Sequence, residues 1–368
     1  MNNLANFRPV YGFKDQRWSL LDLLERFSDN SFLSHGVLRI SDLHLCPGKP
    51  AHYRFDGELI PLPGAANLDE DTVLALIKPA LRDDTIQKVQ SGQDVDTSWI
   101  WTDKDLSFRI NIFRAHEGTC VAIRVLPSSI PPPEEIGFPF ESTWKHFLSI
   151  DQGLVIVTGV TGSGKSTTVS SLLNRRAKER GERIITLEDP VEYLLQGEKA
   201  LISQREVGRH LNSFHQGLRS ALREDPDVIF VGEVRDPETA ALALTAAETG
   251  HVVITTLHTK DTRGAITRLI DLFPSERTRE ICSQLSFTLS MVIAQKLIRR
   301  KNGDGRRAAM EVMMNHTSLS HLIRSGKWEQ ISSQLETQRK QGSITMERHL
   351  KELIEAQEID ESPSKDMP

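Results

Sequence analysis

Residues Gly159-Val160-Thr161-Gly162-Ser163-Gly164-Lys165-Ser166 follow the apolar run Leu154–Val157 and precede the helix-like stretch Ser166–Leu173. Strand, glycine-rich turn and helix in that order form a phosphate cradle. Backbone N–H groups freed by the glycines close around a β-phosphate at a helix N-terminus, Lys165 offers a point charge to the β- and γ-phosphates, and the Ser166 hydroxyl ligates Mg²⁺. Gly159, Thr161, Gly162, Ser163, Gly164, Lys165, Ser166 and Thr167 are therefore the expected nucleotide-binding residues, with ATP and Mg²⁺ as the ligands. The alternative, a glycine turn with a solvated lysine, does not account for the Gly-x4-Gly-Lys-Ser spacing between a strand and a helix.

The 368 residues exceed what one core usually organises, so two or three domains are expected. A formal charge of −5 argues against a nucleic-acid partner held by a broad phosphate-binding surface. Cys46, Cys120 and Cys282 lie far apart with no Cys-x-x-Cys pair, and read as reduced core residues. No apolar run approaches the roughly 18 residues of a membrane span and no signal peptide opens the chain, so a cytosolic protein is expected, docked at most on a membrane complex.

Ser19 and Asp22 form a capping-box pattern ahead of Leu20, Leu23, Leu24 and Phe27 at helical spacing. Strands are expected at Asp42–Leu45 and Tyr53–Pro61, the second broken by Asp56-Gly57, and a helix from Asp69 to about Arg82. Over residues 107–126 two alternating runs form a hairpin with one apolar face, on whose other face Arg109 and Arg124 meet if the loop has an even number of residues. Like charges so placed repel, and an anionic partner relieves them; two solvated arginines are the alternative. Pro127, Pro131–Pro133 and Pro139 mark a stiff linker. Strands expected at Leu154–Thr158, Arg183–Leu187, Val228–Val231 and Val252–Thr256 alternate with helices, which predicts a mainly parallel, doubly wound α/β sheet. The run Ala308–Met314, helices near 317–325, 328–339 and 344–357, and a disordered tail from Glu358 complete the chain.

Hydrolysis requires residues at the ends of the neighbouring strands. Glu188, Asp189 and Glu192 follow one strand: Glu192 is expected to polarise the attacking water, and Glu188 with Asp189 to sit near the metal or orient that water. Asp227–Asp236 is an apolar strand ending in acid; Gly232 occupies the usual metal-side aspartate position, so Glu233 is expected to act through water on Mg²⁺. Asp236-Pro237 reads as N-cap and N1 of the following helix. Gly250–Thr259 carries His251 at the start of a strand and His258 at its end, where a γ-phosphate sensor sits.

These segments together resemble the secretion and pilus ATPases of the type II/type IV secretion superfamily. Gly159–Ser166 is similar to the Walker A of that group, Glu188–Tyr193 to its acidic box, Asp227–Asp236 to its Walker B and Gly250–Thr259 to its histidine box. Ser41–Leu45 and Tyr53–Gly57 resemble the amino-terminal domain of the PilT-type twitching-motility ATPases. The resemblance implies a smaller PAS-like α+β domain over 1–128, a linker over 129–140, a RecA-like ATPase domain with carboxyl-terminal helices over 141–358 and a tail over 359–368. It implies a homo-hexameric ring with ATP at subunit interfaces, His251 near nucleotide, and Arg109 and Arg124 as arginine fingers to their own or a neighbour's nucleotide. It further implies a motor for pilus retraction that works against an inner-membrane platform protein, peripheral to that membrane. Assembly and export ATPases of the GspE/PilB kind carry a long amino-terminal region and a tetracysteine insert that are not found in this sequence. About 15 residues before the first helix, an insertion over Asp29–Arg39 and a partial match at Ser318–Ser325 depart from the retraction type. An assembly or export ATPase of a type II/IVB secretion or conjugative system, and a nucleotide-gated regulator with negligible hydrolysis, are the alternatives.

Overall fold

The structure is a computed structural model that describes residues 6–360 except 30–32, 35–36, 39, 56–57, 105, 127–128 and 303–304. The chain divides into two compact units, Met1–Ser129 and Ile130–Pro368.

In the first unit β1 (Tyr11–Phe13) and β2 (Gln16–Trp18) form a hairpin, and β3 (Leu33–Ser34) and β4 (Val37–Leu38) a second. A six-stranded antiparallel sheet follows from β5 (Ile40–Leu45), β6 (His52–Phe55), β7 (Glu58–Pro61), β8 (Val95–Trp101), β9 (Leu106–Ala115) and β10 (Gly118–Leu126), in the order β7-β6-β5-β10-β9-β8. Alternation gives the sheet one apolar face: Leu43, Leu45, Phe108, Ile110, Ile112, Val121 and Ile123 are buried against Leu20, Leu23, Leu24 and Phe27. The helix Leu20–Leu24 starts at the expected capping box, Ser19 Oγ accepting from the Asp22 amide and Asp22 accepting in return. The extra amino-terminal residues belong to this core: Phe7 and Tyr11 are buried, and the Tyr11 hydroxyl donates to the Ala66 carbonyl at 2.7 Å. The expected turn Asp56-Gly57 and most of the expected insertion lie outside the described residues.

The second unit is built on a seven-stranded sheet of β11 (Gly153–Thr158), β12 (Arg183–Glu188), β13 (Leu201–Glu206), β14 (Val228–Val231), β15 (Val252–Leu257), β16 (Leu289–Arg299) and β17 (Arg306–Met314), in the order β13-β12-β14-β15-β11-β16-β17. All pairs are parallel but β16–β17. Every residue of β11, β14 and β15 is buried, because helices cover both faces. The segment Pro131–Pro139, expected as an extended linker, instead carries the helical turn Pro133–Ile136, since proline at the first helical position presets φ and gives up only an N–H that has no partner there. Pro127 lies outside the described residues.

The carboxyl-terminal helices Thr317–Arg324, Ile331–Thr337 and Met346–Glu355 pack on this sheet. Glu311, buried on β17, ties them in by accepting from the amides of Thr262 (2.9 Å) and Met346 (3.3 Å). The tail begins later than Glu358: that residue pairs with Arg307 at 2.8 Å, and Ile359 is buried against Ile298, Ala309 and Leu353. Residues 361–368 lie outside the described residues.

Candidate nucleotide site

The parallel sheet directs its loops to the carboxyl end of the strands, and the glycine-rich loop leaves β11 there. Three glycines have left-handed φ, Gly159 (+154°), Gly162 (+78°) and Gly164 (+87°), and Gly164 caps the helix Lys165–Glu179. Two of them are also closed to any side chain. A Cβ on Gly159 would come within 2.4 Å of the Gln295 carbonyl, and one on Gly164 within 2.8 Å of Gln295 Nε2.

Gln295, 2% exposed on β16, clamps the loop: its Nε2 donates to the Ser163 carbonyl (2.8 Å) and its Oε1 accepts from Thr168 (2.7 Å). The sequence reading missed this residue, although a glutamine directly after the apolar run Met291–Ala294 is a signal, since a buried amide requires partners. Lys165, 8% exposed, donates to the carbonyls of Gly159 (2.7 Å) and Val160 (3.2 Å). Burial lowers its pKa, while the nearby Glu233 and Glu192 carboxylates pull it back up. Ser163 Oγ is buried without a hydrogen-bond partner, an orphan donor within the loop itself. Closed glycines, an inward lysine and an unspent hydroxyl fit a polyphosphate. Ser166 in the first helical turn and the half-buried Glu233 fit Mg²⁺, which needs only one or two protein oxygens besides phosphate and water.

The acidic segments divide. Glu192 and Glu233 are half-buried and near Lys165. Glu233 accepts from Arg235 at 2.6 Å and lies 3.4 Å from His258 Nε2; burial opposes its charge, but these two partners hold its carboxyl below the usual range. His258 is exposed, and its segment is anchored where the Thr259 amide donates to Thr158 Oγ1 at 2.9 Å. Glu188, expected near the metal or the attacking water, is buried at the end of β12. It accepts from Thr186 (2.6 Å) and Gln204 (3.1 Å), and burial raises its pKa to about 7. Gln204 also donates to the Tyr193 carbonyl, and the Tyr193 hydroxyl meets Thr167 at 2.8 Å, so these side chains position the acidic segment on the cradle helix.

His251, expected near nucleotide, is not brought to this site. It precedes β15, whose first residue pairs with Gly153 at the start of β11, and its Nδ1 contacts the Ala246 carbonyl. The length of β11 puts it about 20 Å from the loop. Asp236 caps its helix through the Thr239 amide (2.7 Å). Leu319, Leu322 and Ile323 are core residues, whereas Arg324 is exposed and stacks on Phe287 at 5.8 Å.

In the first unit the two-residue loop sets Arg109 opposite Arg124 on the polar face. Each has a carboxylate of its own: Arg109 Nε donates to Asp96 at 3.1 Å, and Arg124 Nε to buried Asp42 at 2.7 Å. The expected relief of their repulsion thus comes from flanking strands within the unit, and Arg124 remains 64% exposed.

The sequence profile of the Type II/IV secretion system protein family matches residues 21–361. This chain belongs to that family. Among similar proteins, the type IV pilus retractation ATPase PilT of Pseudomonas aeruginosa is 41% identical over 316 residues, 85% of this chain and 90% of that one. The uncharacterized protein YggR of Escherichia coli K12 is 40% identical over 309 residues, 84% of this chain and 92% of that one. A crystal structure of the pilus retraction motor PilT with bound ADP superposes with a TM-score of 0.79 at 36% identity, covering 91% of this family member and 97% of that chain. The ATPase DotB of Legionella pneumophila gives 0.78 at 26% identity, covering 95% and 96%. The fold of this secretion-family chain is therefore that of PilT, an α/β core on a parallel sheet with an antiparallel first unit.

Proposed function

We propose that this chain is a Mg-ATP-hydrolysing motor subunit that retracts type IV pili, acting as a ring of six copies against an inner-membrane platform protein. The observation that carries it is Lys165, seated in a closed glycine cradle with Glu192 and Glu233 beside it, in a chain similar to PilT over most of both lengths. Bound polyphosphate takes Lys165 from the carbonyls of Gly159 and Val160, and loop amides with Ser163 Oγ complete the cradle. Ser166 and, through water, Glu233 would hold Mg²⁺, which would supply charge neutralisation to the transferring phosphoryl group. Glu192 orients and polarises the attacking water. His258 senses the γ-phosphate through its contact with Glu233. Arg109 and Arg124, mounted on a rigid hairpin, exchange part of their aspartate contacts for phosphate charge at a neighbouring copy's nucleotide.

Steady-state phosphate release and ATP affinity test the reading. Lys165→Ala should lower turnover by on the order of 10²–10³-fold or abolish binding. Glu192→Gln should retain binding and lose on the order of 10²-fold or more in turnover. Full turnover in Glu192→Gln removes its role, and a wild-type chain without turnover at any ring concentration favours the nucleotide-gated regulator. In a host carrying a type IV pilus, deletion should leave pili extended; unchanged pilus dynamics with lost protein export assigns the chain to secretion.

A further inference from the structure

The ladder between β5 and β10 pairs Arg124 with Asp42, Ala122 with His44 and Val121 with Leu45. Continued by one position it sets Cys120 opposite Cys46. Alternation places both on the face of Asp42, His44 and Arg124, opposite to buried Leu45 and Val121. Directly opposed Cα atoms in an antiparallel pair lie about 4.5–5.5 Å apart. A disulfide spans roughly 4.4–6.8 Å, so the separation expected of an opposed pair falls within its reach.

Both residues are free thiols, Cys46 half-buried and Cys120 buried. Burial, then a hydrogen bond to Cys46, push Cys120 up to about 12. Cys120 therefore keeps its proton, and Cys46 is the more accessible of the two to an oxidant from solvent. Cys282 is buried in the helix Thr278–Thr288 of the second unit.

We propose that Cys46 and Cys120 are a peroxide-oxidisable dithiol, with Cys46 as the attacking and Cys120 as the resolving thiol. The Cys46 thiolate attacks one peroxide oxygen, the O–O bond breaks, and the departing hydroxide takes a proton to leave as water, giving a sulfenic acid. The Cys120 sulfur then attacks the Cys46 sulfur. The S–O bond breaks and hydroxide leaves with the Cys120 proton as a second water. Two thiols are oxidised by two electrons and one peroxide is reduced to two waters. The product staples β5 to β10, the strands that mount the Asp42–Arg124 pair.

The test is peroxide treatment of the native full-length chain, alkylation, intact mass and peptide mapping. Expected are loss of the two thiol hydrogens, protection of Cys46 and Cys120 from alkylation, one peptide linking them, and reversal by dithiothreitol. Cys120→Ala should stop at a Cys46 sulfenic acid trapped by dimedone. Cys46→Ser, a change at a half-exposed position, should melt as the wild type and leave Cys120 unreacted. Three results would overturn the proposal: no internal link at peroxide levels that oxidise a free cysteine peptide, linkage of Cys46 between chains, or unchanged Cys120 reactivity in Cys46→Ser.

Discussion

The two sheets dispose of charge in different ways. Across the antiparallel sheet of the first unit, Arg54, Asp42, Arg124, Arg109 and Ser98 form one row on the polar face, and carboxylates from flanking strands meet Arg109 and Arg124. The central strands of the parallel sheet are buried on both faces and carry no charge along their length, so Lys165, Glu192, Glu233 and His258 gather beyond the strand ends. A one-sided sheet neutralises charge pair by pair on a solvated face. A covered sheet concentrates it at one end, where desolvation strengthens each interaction.

The sharpest break of that contrast joins the two regions across subunits. Lys165→Ala and Arg124→Ala should each lose on the order of 10²-fold or more in turnover alone. Rings mixed from both should recover a measurable fraction, because some interfaces then combine an intact cradle with an intact hairpin. No recovery in rings shown by mass to be mixed would confine Arg124 to its pairing with Asp42.

Gln295→Leu should cost about 2–3 kcal/mol of stability, because the Ser163 carbonyl and Thr168 lose a buried partner. Turnover should drop with it. Unchanged melting and phosphate release would show that the loop holds its shape unaided.

Glu188 sharpens the comparison by pH. Folding raises its pKa to about 7 from 4.5, so the folded chain retains a proton that the unfolded chain gives up first. Stability from this group is intact below about pH 4.5, falls as pH rises toward 7, and stays lower above it. Glu188→Gln should therefore stabilise the chain by up to about 3 kcal/mol at pH 8 and by much less at pH 5, read as denaturant midpoints. Equal gains at both pH values would mean that the carboxyl is not the titrating group.

The smallest effect is expected on the solvated face. Asp96→Asn should change stability by less than about 1 kcal/mol, since its pair with Arg109 is part-exposed. A larger loss would make this row a structural element in its own right.

Much of this architecture is local and hence legible. The cradle, the four expected parallel strands and the Ser19 and Asp236 caps depend on residues within a few positions of one another. What escaped depends on distant chain. Gln295 acts on a loop 132 positions earlier, and Glu188 is enclosed by Gln204 from β13, a strand the sequence pattern does not announce. The arginine pair was read correctly in register, while Asp42 and Asp96 were invisible because their strands had no fixed neighbours in the sequence alone.

The Gln295 clamp also sets an order of events at the ribosome. The glycine motif leaves the exit tunnel complete, but the residue that closes it is 132 positions behind. At typical synthesis rates of about 5–20 residues per second, that is a delay of about 7–26 s. During that interval the nascent chain carries the motif without the cradle. Any fragment ending before Leu289 does so permanently: it keeps the signature by which such a chain is recognised and lacks the strand that shapes the loop.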